Sequence, residues 1–227
     1  MSTIEFNPQT TAHVIIDMSR SFGVASDEYP ANHGYGELPV SGVHEIVPVV
    51  NRIIRRFDQD RGNAYTTQDW HPHSTAHFDR DGGPWAVHSV AGTPGAELHP
   101  GLALTAANHR RFIKGMKHLS LGEPDDSYTA VKAINPYTSE TLPVQLQQAG
   151  MLAVILTGVA LGDVADNKTC VDHSALDFKQ RGFDTYVVAD GVAALFDKQQ
   201  ALDRLASFGI KIVQADDIIL ELGSVQS

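Results

Sequence analysis

The stretch QDWHPHSTAH, residues 68–77, places Asp69, His71, His73 and His77 within ten positions. Carboxylate oxygen and imidazole nitrogen are good donors to Zn2+, Mn2+ or Fe2+. His88, in GGPWAVHSVAGTPGAE, lies eleven positions beyond His77. The D-x-H-x5-H spacing admits two readings: a site for one divalent metal ion, or a polar loop whose side chains only hydrogen-bond. His73 follows Pro72, and its spacing turns it away from the others, so it reads as a bystander. The second reactive group is Cys170, the only cysteine in the chain. A thiol attacks as its thiolate, which a helix N-terminus and a nearby cation favour. Cys170 stands where a helix is predicted to begin, and Lys114 would supply the cation. Asp17 could take the thiol proton and pass it to a leaving amine. Ordinary readings compete with this set. Cys170 could be a small buried apolar residue, Asp17 a strand-end cap, and Lys114 a solvated lysine.

Short apolar, β-branched runs supply the frame for these residues: HVIID (13–17), NAYTT (63–67), RFIK (111–114), LAVILTGVA (152–160), DTYVVAD (184–190) and the weaker IKIV (210–213). Runs this short and continuous read as buried parallel strands. Helical patterns lie between them. In 43–59, Ile46, Val50, Ile53, Ile54 and Phe57 share one stripe, and Pro48 fits only if the first turn starts close by. Further helices are predicted over 141–150, 171–182 and 198–209, each ending in a glycine. The expectation is an α/β fold in three layers, α/β/α: a mostly parallel sheet of about six strands with helices on both faces. In such sheets ligands gather at the carboxyl ends of strands. Asp17, Asp69, Lys114 and Cys170 each fall at or just after one.

The bulk properties narrow the classes. A chain of 227 residues, 42% hydrophobic, suits one domain over 1–227 with a buried core. Net charge is -10 and there is no Lys/Arg-rich stretch, which argues against nucleic-acid or anionic-membrane partners. No apolar run approaches the roughly 20 residues of a membrane span. The segment MSTIEFNPQTTAHVIID has no basic stretch followed by an apolar one, so secretion is not expected. A lone cysteine fits a reducing cytoplasm. The expected partner is a small-molecule substrate, and a homo-oligomer is left open.

With these residues in view, the chain resembles the nicotinamidase/pyrazinamidase branch of the isochorismatase-like cysteine hydrolases. HVIIDMSRSF looks like the family's first strand with its aspartate and pocket aromatic. TTQDWHPHSTAHF is similar to its metal stretch, and GGPWAVHSVAGTPGAELHPGL to the segment carrying the fourth ligand. FIKG, DDSYTAV and CVDHSALDF look like the lysine, the stretch after it, and the nucleophile with its helix. The resemblance implies an isochorismatase-like, Rossmann-like fold and a metal-dependent amidohydrolase that converts nicotinamide to nicotinate and ammonia in NAD salvage. It implies Cys170 as nucleophile, Asp17 as general base and Lys114 as the cation beside the thiolate. It implies Asp69, His71, His77 and His88 around one divalent ion, with Zn2+ expected and Mn2+ or Fe2+ as alternatives. Phe22 and Trp85 would sandwich the pyridine ring, Tyr128 would close the pocket, and the backbone N–H groups of Thr169 and Cys170 would form the oxyanion hole. Phe22 and Trp85 could equally be plain core aromatics.

The chain departs from the family pattern in three places. Met18, Ser19, Arg20 and Ser21 follow Asp17 where the family has Gln-Asn-Asp, and Arg20 could bring a cation toward the pocket. Ten positions separate Ala160 from Cys170, a longer connection than the family's, so an insertion falls at about 161–169. The stretch after Lys114 is long and carries Lys117, the less favoured of two candidates for the cation. Two other functions stand beside the leading one: hydrolysis of a different small amide, and a catalytically silent ligand- or protein-binding member. A purely structural zinc site would favour four Cys/His ligands, which an aspartate fits poorly.

Overall fold

The computed structural model describes residues 4–58, 64–162 and 169–220. Six strands form the central sheet: β2 (Thr11–Ile16), β3 (Ala64–Asp69), β4 (His109–Lys114), β5 (Ala153–Leu161), β6 (Asp184–Ala194) and β7 (Lys211–Val213). Their order is β4-β3-β2-β5-β6-β7 and every pairing is parallel. All six predicted runs are strands. β2 is buried along its whole length, as a central strand covered on both faces must be.

Four helices cover the sheet: α1 (Val43–Asp58), α2 (Leu142–Gln148), α3 (Cys170–Gln180) and α4 (Lys198–Ser207). From β2 the chain winds toward β4; from β5 it winds the other way, toward β7. Right-handed crossovers therefore put α1 on one face and α3 and α4 on the other. The packing agrees. Val50 and Ile54 of α1 pack with Ile15, while Val171, Phe178 and Leu205 pack with Val14, Leu156 and Val187. The predicted stripe of α1 is buried in full. Pro48 does not lie in its first turn, however. The Ile46 N–H bonds to the Gly42 carbonyl, so Gly42 caps the helix and Pro48 sits one turn in. The helix forgoes one backbone bond there and keeps its buried face. At the far end of α4, Gly209 adopts φ +77 and closes a Schellman pair, Gly209 N–H to Ala206 and Ile210 N–H to Leu205.

A two-stranded parallel sheet of β1 (Ile4–Phe6) and β8 (Ile218–Leu220) was not expected. Three-residue strands carry too little pattern to read. Among the described residues, no helix is long and apolar enough to cross a membrane.

Candidate active site

The strand order reverses between β2 and β5, and a crevice opens at their carboxyl ends. Asp17 follows β2 directly and adopts φ +46, turning the chain off the sheet. That left-handed conformation costs a non-glycine residue roughly 1–2 kcal/mol, least for Asp and Asn. Thr67 of β3 secures the turn: its carbonyl accepts from Asp17 N–H at 3.1 Å and its hydroxyl donates to Asp17 Oδ1 at 2.8 Å. Asp69 is the last residue of β3, not two beyond it, and the β3–β4 register pairs it with Lys114. Lys114 is fully buried among anions and acceptors. Its Nζ lies 2.8 Å from Asp17 Oδ2, donates to Asp69 Oδ1, donates to the Ser127 carbonyl at 2.6 Å, and reaches Cys170 Sγ at 3.4 Å. Lys117 is exposed and pairs with Asp126 at 3.0 Å, so it is not the substitute cation.

Burial pushes the Asp17 carboxyl up to about 6, against the pull of Lys114. Burial also favours neutral Lys114, but Asp17 and Asp69 outweigh it and hold the ammonium well above its ordinary value. Cys170, half-buried, heads α3. Burial raises its thiol well above the usual range, and Asp17 and Asp69 add to that against Lys114. This corrects the expectation of a thiol depressed by its cation. The group therefore rests as a thiol, with the Lys114 ammonium at 3.4 Å and the carboxylates of Asp17 and Asp69 close by.

Three histidines meet on the other side of Asp69. Ring nitrogens of His71, His77 and His88 lie within 4.8 Å of one another, all buried. Each has its Nδ1 tied to an acceptor: His71 to the Gly115 carbonyl at 3.0 Å, His88 to the Ala86 carbonyl at 2.7 Å, His77 to Asp125 Oδ2 at 2.6 Å. That leaves each Nε2 for another purpose, and His71 Nε2 is buried with no hydrogen-bond partner. Burial depresses His71 to about 3 and His88 to about 4, which keeps both as neutral donors. Asp69 Oδ2 stands 3.9 Å from His71 Nε2 and 3.8 Å from His88 Nε2. An orphaned nitrogen amid anchored imidazoles and a carboxylate fits a divalent metal and fits a hydrogen-bonded polar loop poorly. Gly115 makes the tether to His71 feasible: it adopts φ +71, and a Cβ there would meet the His71 ring at 2.5 Å. His73 is exposed.

A cleft of about 350 Å3, open mouth included, joins the two groups. Asp69, His77, His88, Cys170 and Thr169 line its polar part; Phe22, Trp85 and Tyr128 line its aromatic part. Trp85 Nε1 donates to the Tyr128 hydroxyl at 2.7 Å, and the Phe22 ring lies 5.4 Å from that of His88. Sequence reasoning missed Leu38, Ala160 and Leu195, which also line the cleft, and Asp125 behind His77. Ala160 and Asp125 lay in stretches compared with the family but were given no role, and Leu38 and Leu195 belong to no spacing pattern that could have flagged them.

The departures from the family pattern resolve structurally. Arg20 turns to Glu97 at 2.8 Å and does not line the cleft. Ser19 and Ser21 join Ser89 in a buried hydroxyl cluster, with Ser21 and Ser89 at 2.5 Å. Of the insertion at 161–169, residues 163–168 lie outside the described residues, and Leu161 ends β5 instead of opening a loop. Both flanks converge on Asp172, whose Oδ2 accepts from Gly162 N–H at 2.8 Å and from the Thr169 hydroxyl at 2.6 Å. Thr169 and Cys170 stay in the cleft wall.

Comparison with known proteins defines the class. The Isochorismatase domain matches residues 11–217, and the chain belongs to that family. Within it, the resemblance to the nicotinamidase/pyrazinamidase branch holds. The chain is 29% identical to a nicotinamidase of Acinetobacter baylyi over 82% of its length and 88% of the relative's. A pyrazinamidase of Pyrococcus horikoshii, solved in complex with zinc, superposes with a TM-score of 0.71 at 30% identity, covering 90% of this chain and 99% of that one. PnC1 from L. infantum, solved with nicotinate, gives 0.76 at 25% identity over 96% and 100%.

Proposed function

We propose that the protein is a metal-dependent nicotinamidase, hydrolysing nicotinamide to nicotinate and ammonia as a step of NAD salvage. The observation that carries this reading is the junction of two groups in one small aromatic cleft: a thiol and an aspartate that share a buried lysine, and three histidines anchored through Nδ1, His71 with its buried Nε2 unpartnered. The zinc and nicotinate in the related structures support it. Asp69, His71, His77 and His88 would hold one divalent ion, Zn2+ being the expected one. When bound, the ion would fix the pyridine ring by its nitrogen and so orient the amide.

The remaining roles belong to the chain itself. Phe22 and Trp85 flank the ring, and the Trp85–Tyr128 hydrogen bond holds that wall of the cleft in place. Asp17 takes the Cys170 proton as sulfur attacks the amide carbon. The developing oxyanion faces the backbone N–H groups of Thr169 and Cys170 at the start of α3, where the helix dipole favours negative charge. Asp17 returns the proton to the amine, the C–N bond breaks and ammonia leaves. Water, deprotonated by Asp17, then cleaves the thioester to give nicotinate and the free thiol. Lys114 stays protonated throughout and offsets the carboxylate and thiolate charges.

Ammonia release from nicotinamide by the purified protein tests the reading. Cys170→Ala should lower kcat by at least about 10^4-fold while leaving metal binding intact. Chelation should abolish release and added Zn2+ should restore it. A folded, metal-loaded sample that releases no ammonia sinks the assignment, and release that survives complete metal removal sinks its metal part.

A further inference from the structure

His77 differs from the other two histidines in one respect. His71 and His88 are anchored by neutral backbone carbonyls, of Gly115 and Ala86, whereas His77 is anchored by a carboxylate, Asp125. A hydrogen bond to an ionised acceptor is roughly twice as strong as one to a neutral acceptor, and it makes the imidazole a better electron donor through its other nitrogen. Asp125 is itself held. Its Oδ1 accepts from Ser127 N–H at 2.9 Å, and the Ser127 hydroxyl lies 3.3 Å from His77 Nδ1. The Ser127 carbonyl then accepts from Lys114 Nζ at 2.6 Å. One three-residue turn, 125–127, thus grips a histidine of the metal group at one end and the buried cation beside the nucleophile at the other. The neighbouring carboxylate takes no part: Asp126 pairs with exposed Lys117.

We propose that Asp125 is a positioning residue for the metal site. It fixes the His77 ring with Nε2 toward His71 and His88 and strengthens that ring as a ligand, and the 125–127 turn locks the metal half of the cleft to the nucleophile half. The inference rests on the metal assignment made above, not on the identity of the substrate.

Binding of Co2+ by the purified full-length chain, measured by competition with a chromogenic chelator, is the test. Loss of a carboxylate behind a metal-bound histidine costs about 10–100-fold in affinity, so Asp125→Asn should bind Co2+ that much more weakly. Asp126→Asn should bind as wild type does. Asp125→Glu, which keeps the charge, should recover part of the loss and covers the case in which the asparagine variant does not fold. At saturating Co2+ the visible absorption band of Asp125→Asn should be shifted from wild type, a signature of altered donor strength that a merely structural role would not produce. Wild-type affinity and spectrum in Asp125→Asn would overturn the proposal, as would equal losses in Asp125→Asn and Asp126→Asn. A wild-type protein that binds Co2+ tightly but releases no ammonia from nicotinamide removes the functional reading and leaves this one standing. A wild-type protein that binds no Co2+ removes both.

Discussion

Asp17 and Lys114 stand at the ends of β2 and β4 and Cys170 heads α3, three distant parts of the chain, whereas His71, His77 and His88 come from one stretch between β3 and β4. The first group is held by the sheet. Parallel pairing of β2, β3, β4 and β5 brings its backbones together, and opposite charges in a dry crevice do the rest. The second group is held by tethers, one acceptor for each Nδ1, on a segment with only short 3-10 turns. The difference separates what each half tolerates. Substitutions in the sheet group unbalance buried charge and endanger the fold. Substitutions among the tethers should loosen ligand geometry with little effect on the core. Asp69 and Lys114 are the joint between them.

The largest expected effect lies at that joint. Lys114→Met leaves Asp17 and Asp69 buried without their cation, and breaking such a cluster costs about 3–5 kcal/mol. Urea unfolding of the variant reads it, and a loss below about 1 kcal/mol would show that the Asp17–Lys114–Cys170 group does not depend on its ion pairs. His13 gives a smaller effect and a control for the buried histidines. It lies in β2, away from the cleft, with Nε2 2.8 Å from Thr157 Oγ1, and burial lowers it from 6.5 to about 3. The unfolded chain takes up this proton as pH falls through 6.5; the folded chain does not until about 3. Stability should therefore fall by up to about 1.4 kcal/mol per pH unit across that window, and above it His13 contributes no pH slope. His13→Asn should flatten the dependence by about one proton, and parallel curves would refute the argument. Arg20→Ala should give the smallest effect. Its pair with Glu97 is partly exposed, so stability should change by less than about 1 kcal/mol, and KM for nicotinamide should not change. A raised KM would mean that Arg20 reaches the substrate after all.

Most of the frame was legible because continuous apolar runs and glycine stops are local signals. The six sheet strands, the buried stripe of α1 and the glycine beyond α4 all follow from residues close in sequence. The strand-end rule then gathered Asp17, Asp69, Lys114 and Cys170 without any pairwise contact being known. The state of the thiol was not legible. It depends on how deeply Cys170 is buried and on two carboxylates against one ammonium, a balance that only distances set. Asp125 and Asp172 lay inside motifs quoted from the sequence, but their roles were not legible there. The Thr169–Asp172 bond follows a local T-x-x-D pattern at the start of α3, whereas the Asp125–His77 and Asp172–Gly162 bonds join residues brought close only by folding. Leu38 and Leu195 reach the cleft from irregular segments, and β1 and β8 are three residues each.

Asp172 makes the end of β5 and the start of α3 a single unit. Its one carboxylate fastens both Gly162 and Thr169. A substitution that removes it releases the two together, so a change in the first turn of α3 is felt directly in the cleft wall that Thr169 helps to form.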